Sequence, residues 1–267
     1  MATKVAALLA ALALGAAAAR ADVWDRGTDN DDDAGSDNEI VHGISQVHDL
    51  GAQAGVADED WYPLRLAYGR SFEIRVEGMT GDVTSGSNAP TVDLLASDGT
   101  TLVKEAEDVT AFGRARSLRF GSTSNGAVGY TSYFVRVANA ACGTSCTGED
   151  EYRIRAYDTT LTLPRFNNTN GQVTVLILQN PSSRAIVYWA GVWTSGGVYL
   201  GSHAAVVAPY ATSVTNLSTV NAGALNNQSG SLVILNDGPY QGLTGKGVAI
   251  EPATGFTFDT ALTVAPQ

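Results

Sequence analysis

Positive charge is scarce in this sequence. The 267 residues include 16 Lys and Arg against 27 Asp and Glu, a formal net charge of −11 at pH 7. An acidic protein has no attraction for phosphate backbones, so nucleic-acid binding is excluded. The acids are also concentrated, because residues 22–60 hold 12 of them with Arg26 as their one base. Nearly all the excess charge is therefore local to the N-terminal part.

Histidines and serine-hydrolase motifs are few. After residue 21 the histidines are His42, His48 and His203, with no G-x-S-x-G elbow and no H-x-x-x-H zinc pattern. His48 precedes Asp49, but adjacent residues on extended backbone point to opposite sides and cannot form an orienting pair directly. The sequence therefore predicts structural histidines and no enzyme. A cryptic hydrolase is the third interpretation of the function.

Paired acids raise the alternative of glycoside hydrolysis at Asp58, Glu59 and Asp60. Glycosidase carboxylates must flank a sugar from opposite sides of a cleft. Adjacent loop carboxylates converge more naturally on a cation, or cap turns. Acid–base catalysis is therefore not predicted at this stretch.

Cysteine occurs at two positions, Cys142 and Cys146, which enclose three residues. In an exported chain this spacing predicts one small-loop disulfide at a hairpin tip. A metal or redox role would need further ligands or a C-x-x-C spacing.

Long apolar runs are missing except near the N-terminus. Lys4 precedes an apolar run over residues 5–19, and Ala19-Arg20-Ala21 matches an A-x-A cleavage site. The run is too short to span a bilayer comfortably, so a signal peptide over residues 1–21 is predicted instead of a membrane anchor. Cleavage before Asp22 would give an extracellular or periplasmic protein with no later membrane span.

Amphipathic runs of helical length are missing as well, whereas 29 glycines and many turn motifs are present. Phe72, Ile74 and Val76 alternate with charged residues, which predicts a strand with one buried face. Tyr68-Gly69-Arg70 is interpreted as the turn that joins this strand to the preceding one in a hairpin. Asp98-Gly99 predicts a second hairpin. Repeated short strands predict an antiparallel β-sandwich.

The composition changes near Pro164, where charged residues become rare. Pro164 is expected to stop strand pairing, so two all-β domains in tandem are predicted after an acidic leader at 22–37. The first spans 38–158 and the second 161–267. An edge strand is expected at 40–44. The strands predicted beyond the boundary are 172–179, 185–193, 198–207, 231–236, 247–251 and 256–260.

The order of several motifs carries a resemblance to a known family. The motifs are Asp58-x-Asp60-Trp61-Tyr62, a strand ending in Gly78, Asp93-Leu94-Leu95 with Ser97-Asp98-Gly99-Thr100, Tyr133-Phe134-Val135-Arg136-Val137, and Tyr152-Arg153-Ile154-Arg155. Together they resemble the bacterial pre-peptidase C-terminal domain over about residues 38–158. The resemblance implies a jelly-roll-like β-sandwich in a secreted protein, in some cases calcium-binding. The second half is similar to domains of uncharacterised secreted bacterial proteins, which implies no activity.

The acidic residues around the first strand suggest a calcium site. Acids at alternate positions give the oxygen-dense spacing that calcium favours. An EF-hand is excluded, because Ala34 stands at its glycine position and Ile40 at its final glutamate position. The alternatives are a solvated leader and turn-capping carboxylates. The predicted ligands are Asp29, Asp31, Asp33, Asp37, Asp58 and Asp60.

A group of aromatic residues in the second half is the other candidate site. Tyr188, Trp189, Trp193 and Tyr199 lie in a neutral, amide-rich stretch, which is typical of a sugar-binding platform, although rings in β domains more often form the core. The predicted function is an exported, non-catalytic binding or structural module with calcium as its cofactor, whose partner is an extracellular polysaccharide or another secreted protein. An accessory partner of a secreted hydrolase is the alternative.

Overall fold

The computed structural model describes residues 31–52, 55–84, 88–108, 114–123, 126–139 and 141–264. Across these ranges the regular structure is β-strand, with three short 3-10 helices at Asp82–Thr84, Gly143–Ser145 and Leu217–Gly223. The predicted signal peptide and Asp29 lie outside the described residues. No helix within them is long and apolar enough to cross a membrane.

The first half of the chain forms two antiparallel sheets. Sheet I has the strand order β1-β9-β3-β7-β6, and sheet II has the order β2-β8-β4-β5. Their strands are β1 Ser45–Asp49, β2 Glu59–Ala67, β3 Arg70–Gly78, β4 Thr91–Ala96, β5 Leu102–Glu105, β6 Glu107–Asp108, β7 Ala115–Ser122, β8 Tyr130–Ala138 and β9 Glu151–Asp158. The hairpin predicted at Asp98-Gly99 is confirmed, because β4 pairs with β5 around it.

The second half forms two further antiparallel sheets. Sheet III has the order β13-β12-β15-β10-β18, and sheet IV has the order β14-β11-β16-β17. Their strands are β10 Leu161–Asn167, β11 Val173–Gln179, β12 Ile186–Thr194, β13 Tyr199–Val207, β14 Thr212–Asn216, β15 Ser229–Asn236, β16 Thr244–Glu251, β17 Phe256–Ala261 and β18 Thr263–Val264. The all-β, antiparallel, sandwich-like fold class is thereby confirmed.

Each pair of sheets encloses its own apolar cluster. Between sheets I and II the largest fully buried side chains include Tyr62, Ile74 and Tyr152, and between sheets III and IV they include Phe166 and Tyr188. Alternation along each strand places these residues on the inner face. All strand pairings of the described residues join strands of the same half. The division into two domains stays a prediction.

The hairpin predicted at Tyr68-Gly69-Arg70 is wrong. Strand β2 pairs with β8 along its whole length, whereas β3 lies between β7 and β9 in the other sheet. The backbone N–H groups of Tyr68 and Gly69 donate to Gly129 O and Ser122 O, at 3.1 and 2.5 Å. The turn, in which Gly69 has φ +77°, is therefore a corner between sheets. Local alternation identified both strands but could not choose their partners.

Two other local predictions differ from the structure. The first edge strand is Ser45–Asp49 and not 40–44, because a turn with Gly43 at φ +73° interrupts the earlier segment. Pro164 does not stop pairing either. Strand β10 pairs with β15 on both sides of it, and the register shifts between Leu163 and Phe166. A β-bulge tolerates a proline that cannot donate to the ladder.

The two halves contact each other through buried polar groups. The Asn236 backbone N–H donates to Ser71 Oγ at 3.2 Å, and its side-chain Nδ2 donates to Thr159 O at 2.8 Å. The Tyr240 N–H donates to Glu73 Oε2 at 2.7 Å. Sheets I and III therefore meet through defined hydrogen bonds.

Candidate metal centre

Three chain segments bring potential metal ligands together inside the first half. The backbone N–H of Trp61 donates to Asp31 O at 2.7 Å, so the acidic leader lies against the start of β2. Strand β1 pairs with β9, and this pairing sets His48 opposite Tyr152. Asp31, His48 and Asp60 are all buried, with at most 1% of each exposed.

The donor atoms of these three residues converge. His48 Nδ1 lies 3.7 Å from Asp31 Oδ2 and 3.7 Å from Asp60 Oδ1. One donor atom from each residue lies within 4.8 Å of the other two. Separations of this size are compatible with ligands that share one ion at about 2.0–2.6 Å. The sequence predicted that Asp31 and Asp60 would meet if the leader folded back, and the structure brings them together.

Hydrogen bonds fix the orientation of the His48 ring. The Gln46 Nε2 group donates to Glu39 O at 2.9 Å, which leaves its amide oxygen 3.2 Å from His48 Nε2. Since that oxygen can only accept, Nε2 carries a proton and donates. With Nε2 as the donor, Nδ1 is the ring nitrogen that faces the carboxylates, and metal-ligating histidines are held in the same way through their other nitrogen.

Two buried tyrosines hold Asp60 in place. The Tyr152 hydroxyl donates to Asp60 Oδ2 at 2.5 Å, and it lies 2.6 Å from the Tyr62 hydroxyl. Burial, and then the nearby Asp60 charge, raises the pKa of Tyr152 well above its ordinary value. Tyr152 thus stays a neutral donor, and Asp60 Oδ1 is the oxygen directed toward His48.

Asn38 adds a further oxygen beside the cluster. Its Nδ2 donates to Asp31 Oδ2 at 3.1 Å, and the residue is 1% exposed. Among the described residues, Asn38 Oδ1 is buried without a hydrogen-bond partner. A buried amide oxygen needs a partner, which a water or an ion could supply.

Of the other predicted ligands, Asp33, Asp37 and Asp58 lie outside the converging group. Asp33 and Asp37 are exposed, and Asp33 Oδ1 accepts from the Gly35 N–H at 2.6 Å. Asp58 is buried just before β2 but is not one of the three converging groups. Sequence reasoning missed His48 and Asn38 as candidate ligands. A signal for His48 existed, because it lies in an acidic stretch close to Asp58 and Asp60.

The donor atoms of this site suit more than one cation. Two carboxylates and an amide oxygen suit calcium, which takes six to eight oxygens. The imidazole nitrogen also suits zinc or manganese. A second group, Cys142, Cys146 and Asp150, does not fit a metal, because the structure joins the cysteines in the predicted disulfide, with Cα atoms 5.1 Å apart.

The predicted aromatic platform divides into two environments. Tyr188 is 1% exposed and belongs to the core of the second half. Trp189 and Trp193 lie on the opposite face of β12, and both rings cover Gly191, where a Cβ atom would be 2.6 and 2.5 Å from their tips. The Tyr199 ring lies 5.3 Å from that of Trp193. Three of the four rings therefore share one face, and Tyr188 does not.

Both tryptophans line pockets against the first half, and Trp193 does so beside Arg70 and Tyr130. Trp189 lines a pocket against the first half, together with Arg119 and Phe120. Trp193 lines an open cleft of about 970 Å³ that is rich in hydroxyl and amide groups. The polar lining consists of Arg165, Asn167, Thr169, Asn170, Thr194, Ser195, Ser229 and Ser231. Trp193 is the member of the predicted platform that lines this cleft.

The remaining histidines have structural contacts. His42 Nδ1 accepts from the Asp158 N–H at 2.7 Å, and the ring packs edge-on against Tyr157 and Tyr240. Burial lowers the pKa of His203, whose ring lies 5.9 Å from that of Tyr188. Neither forms an ion pair with a carboxylate within the part of the chain that the structure describes.

No family model and no curated protein matches this chain. Among solved structures it is similar to the M60 catalytic domain with the CBM51-1 and CBM51-2 domains from Clostridium perfringens ZmpB, with 7% identity over 84% of this chain and 38% of that chain and a TM-score of 0.24. A calcium binding mutant of Bacteroides uniformis beta-glucuronidase 2 gives 10% identity over 82% and 32%, with a TM-score of 0.19. A glycosyl hydrolase family 2 member from Bacteroides cellulosilyticus gives 9% over 80% and 28%, also at 0.19. This chain spans about a third of their lengths, and TM-scores this low carry no argument.

Proposed function

We propose that the chain is an exported, non-catalytic binding module whose first half is organised by a divalent cation at Asp31, His48 and Asp60. The observation that carries the proposal is the convergence of these three buried side chains from separate segments. A cation would offset the cost of burying two carboxylates and would tie the acidic leader to β1 and β2. Asn38 Oδ1 would supply a fourth donor.

The proposed cation is calcium, as the sequence predicts, and the imidazole donor makes manganese and zinc necessary alternatives. Only the folded chain presents the converged donors, so binding raises the free energy of unfolding. At a concentration one hundred times the Kd the gain is about 2.7 kcal/mol, equivalent to about 5–10 °C in Tm for a chain of this size.

Thermal unfolding in chelator, calcium, manganese, zinc and magnesium tests the cation site. The expected result is a higher Tm with calcium, manganese or zinc and a much smaller change with magnesium. Asp31→Asn, His48→Gln and Asp60→Asn should each abolish the shift. The matched controls Asp33→Asn and Asp37→Asn remove exposed leader charges and should keep it. Identical melting curves in chelator and in every cation would refute the site.

The proposed ligand is an extracellular glycan. Support comes from the open cleft beside Trp193, where an indole face adjoins hydroxyl and amide groups that match sugar chemistry. A glycan array with the cation and with chelator tests it, and Trp193→Ala should weaken any signal. Binding to no glycan under either condition would refute this part of the proposal.

A further inference from the structure

Two phenylalanines on β17 are exposed although they lie on an inward-facing side of the sandwich. Phe258 pairs with Ala249 and Phe256 with Glu251, on the same side of sheet IV as Gly247. That side is the inner one, because a Cβ at Gly247 would meet the buried Leu163 side chain at 2.8 Å. Phe256 and Phe258 are nevertheless 64% and 57% exposed.

The exposure arises because β17 is the outermost strand of sheet IV, with β16 as its one neighbour in the sheet. The bulge in β10 between Leu163 and Phe166 interrupts regular pairing on the facing side. Gly247 and Ala249 are too small to fill the space that remains. The result is a groove of about 190 Å³ between the sheets, lined by both phenylalanines.

Charged groups of both signs and uncharged polar groups line the same groove. Arg165 and Glu251 contribute one positive and one negative charge, and Asn167, Gln172 and Thr174 contribute amide and hydroxyl groups. No ion pair of the described residues includes Arg165, so its guanidinium donors can serve a ligand. One Glu251 oxygen, Oε2, accepts from Thr254 Oγ1 at 2.6 Å, which leaves Oε1 as an acceptor.

We propose that this groove binds a single neutral pyranose unit of a polysaccharide, an inference that rests on the proposed glycan-binding function. Exposed aromatic faces would stack on the apolar face of a sugar ring, while Arg165 and Glu251 would donate to and accept from its hydroxyl groups. The balanced charge favours a neutral sugar over a uronic acid. The volume lies below the ~300 Å³ lower bound for drug-sized ligands, so the groove holds one ring.

Binding is measured by calorimetry and by NMR chemical-shift changes with neutral glucan, mannan and galactan hexasaccharides and with oligogalacturonate. One neutral hexasaccharide should bind. The Phe256→Ala/Phe258→Ala variant should weaken it at least about tenfold, or about 1.4 kcal/mol. Phe258→Trp should retain binding. Tyr210→Ala, which removes a ring that is 74% exposed outside the groove, should leave it unchanged.

Other outcomes overturn the proposal in distinguishable ways. Neutral-sugar binding that Trp193→Ala abolishes and the groove variants leave intact would refute the groove and keep the proposed function. No binding of any saccharide would refute both. Stronger binding of oligogalacturonate would refute the neutral sugar. A dimer in size-exclusion chromatography that the Phe256→Ala/Phe258→Ala variant dissociates would assign the groove to a second copy of the chain.

Discussion

Replacing Glu73 with alanine is expected to lower the free energy of unfolding by about 3–5 kcal/mol. Glu73 is 3% exposed, and its Oε1 accepts from Ser117 Oγ at 2.5 Å and from Arg119 Nε at 3.1 Å. Its Oε2 accepts from the Tyr240 N–H of the second half at 2.7 Å. Truncation leaves the buried Arg119 charge without this partner and removes one contact between the halves.

The size of the effect depends on which part of the interaction is removed. Glu73→Gln keeps the shape and one acceptor oxygen, but it removes the charge and sets an NH2 donor against one of the groups that now donate to Glu73, so about 1–3 kcal/mol is expected. Glu73→Gln/Arg119→Met removes both charges, and it should recover part of the Glu73→Gln loss, because the unpaired charge is the larger cost. If the losses of unfolding free energy in Glu73→Gln and in Arg119→Met add up to the loss in the double variant, a direct interaction between the two residues is contradicted.

Denaturant unfolding followed by tryptophan fluorescence and far-UV circular dichroism measures these changes. The matched control is Glu77→Ala on the same face of β3, where Glu77 pairs with Arg114 at 3.8 Å with both side chains well exposed. A change of at most about 1 kcal/mol is expected there. A loss below about 1 kcal/mol in Glu73→Ala would refute the reasoning.

Two further predictions concern local features. Cys142→Ser/Cys146→Ser should lower the free energy of unfolding by no more than about 2 kcal/mol, because the closed loop is short, and free thiols found by mass spectrometry in the exported protein would contradict the pairing. The Thr101 side chain, and then backbone N–H groups, lower the pKa of Asp98 to about 2. The contribution of Asp98 to stability is therefore present above about pH 4 and is lost as the pH falls through about 2. A carboxyl NMR titration should show this pKa, and Thr101→Val should raise it; an unchanged titration would contradict the assignment.

The strands were predictable because their signal is local. Alternation identified β3, and turn residues identified the β4–β5 hairpin. Strand partners were not predictable in the same way, since β2 and β3 each satisfy the pattern of a hairpin yet belong to different sheets. The sheet to which each strand belongs depends on its pairing with β8 or β9, and both partners lie far away along the chain.

The candidate site was predictable only in part for a related reason. Acidic spacing indicated Asp31 and Asp60, because carboxylates close in sequence suggest a cation without knowledge of the fold. His48 has no regular spacing relative to these acids, and its position beside them depends on the register of β1 against β9. Asp33 and Asp37 were predicted as ligands but are exposed, because equal spacing along the leader does not imply equal burial.

Buried polar groups where sheets I and III meet would hold the two proposed ligand sites in a defined relation. Asn236 bonds to both Ser71 and Thr159, and Tyr240 bonds to Glu73. Such bonds add little net stability, yet a rotated arrangement would leave each group buried without a partner. The polar contacts therefore act mainly by disfavouring other orientations of the two halves. The proposed cation site and the proposed β17 groove would then keep fixed positions relative to each other, and a polysaccharide in the groove would meet the same adjoining surface in every copy of the protein.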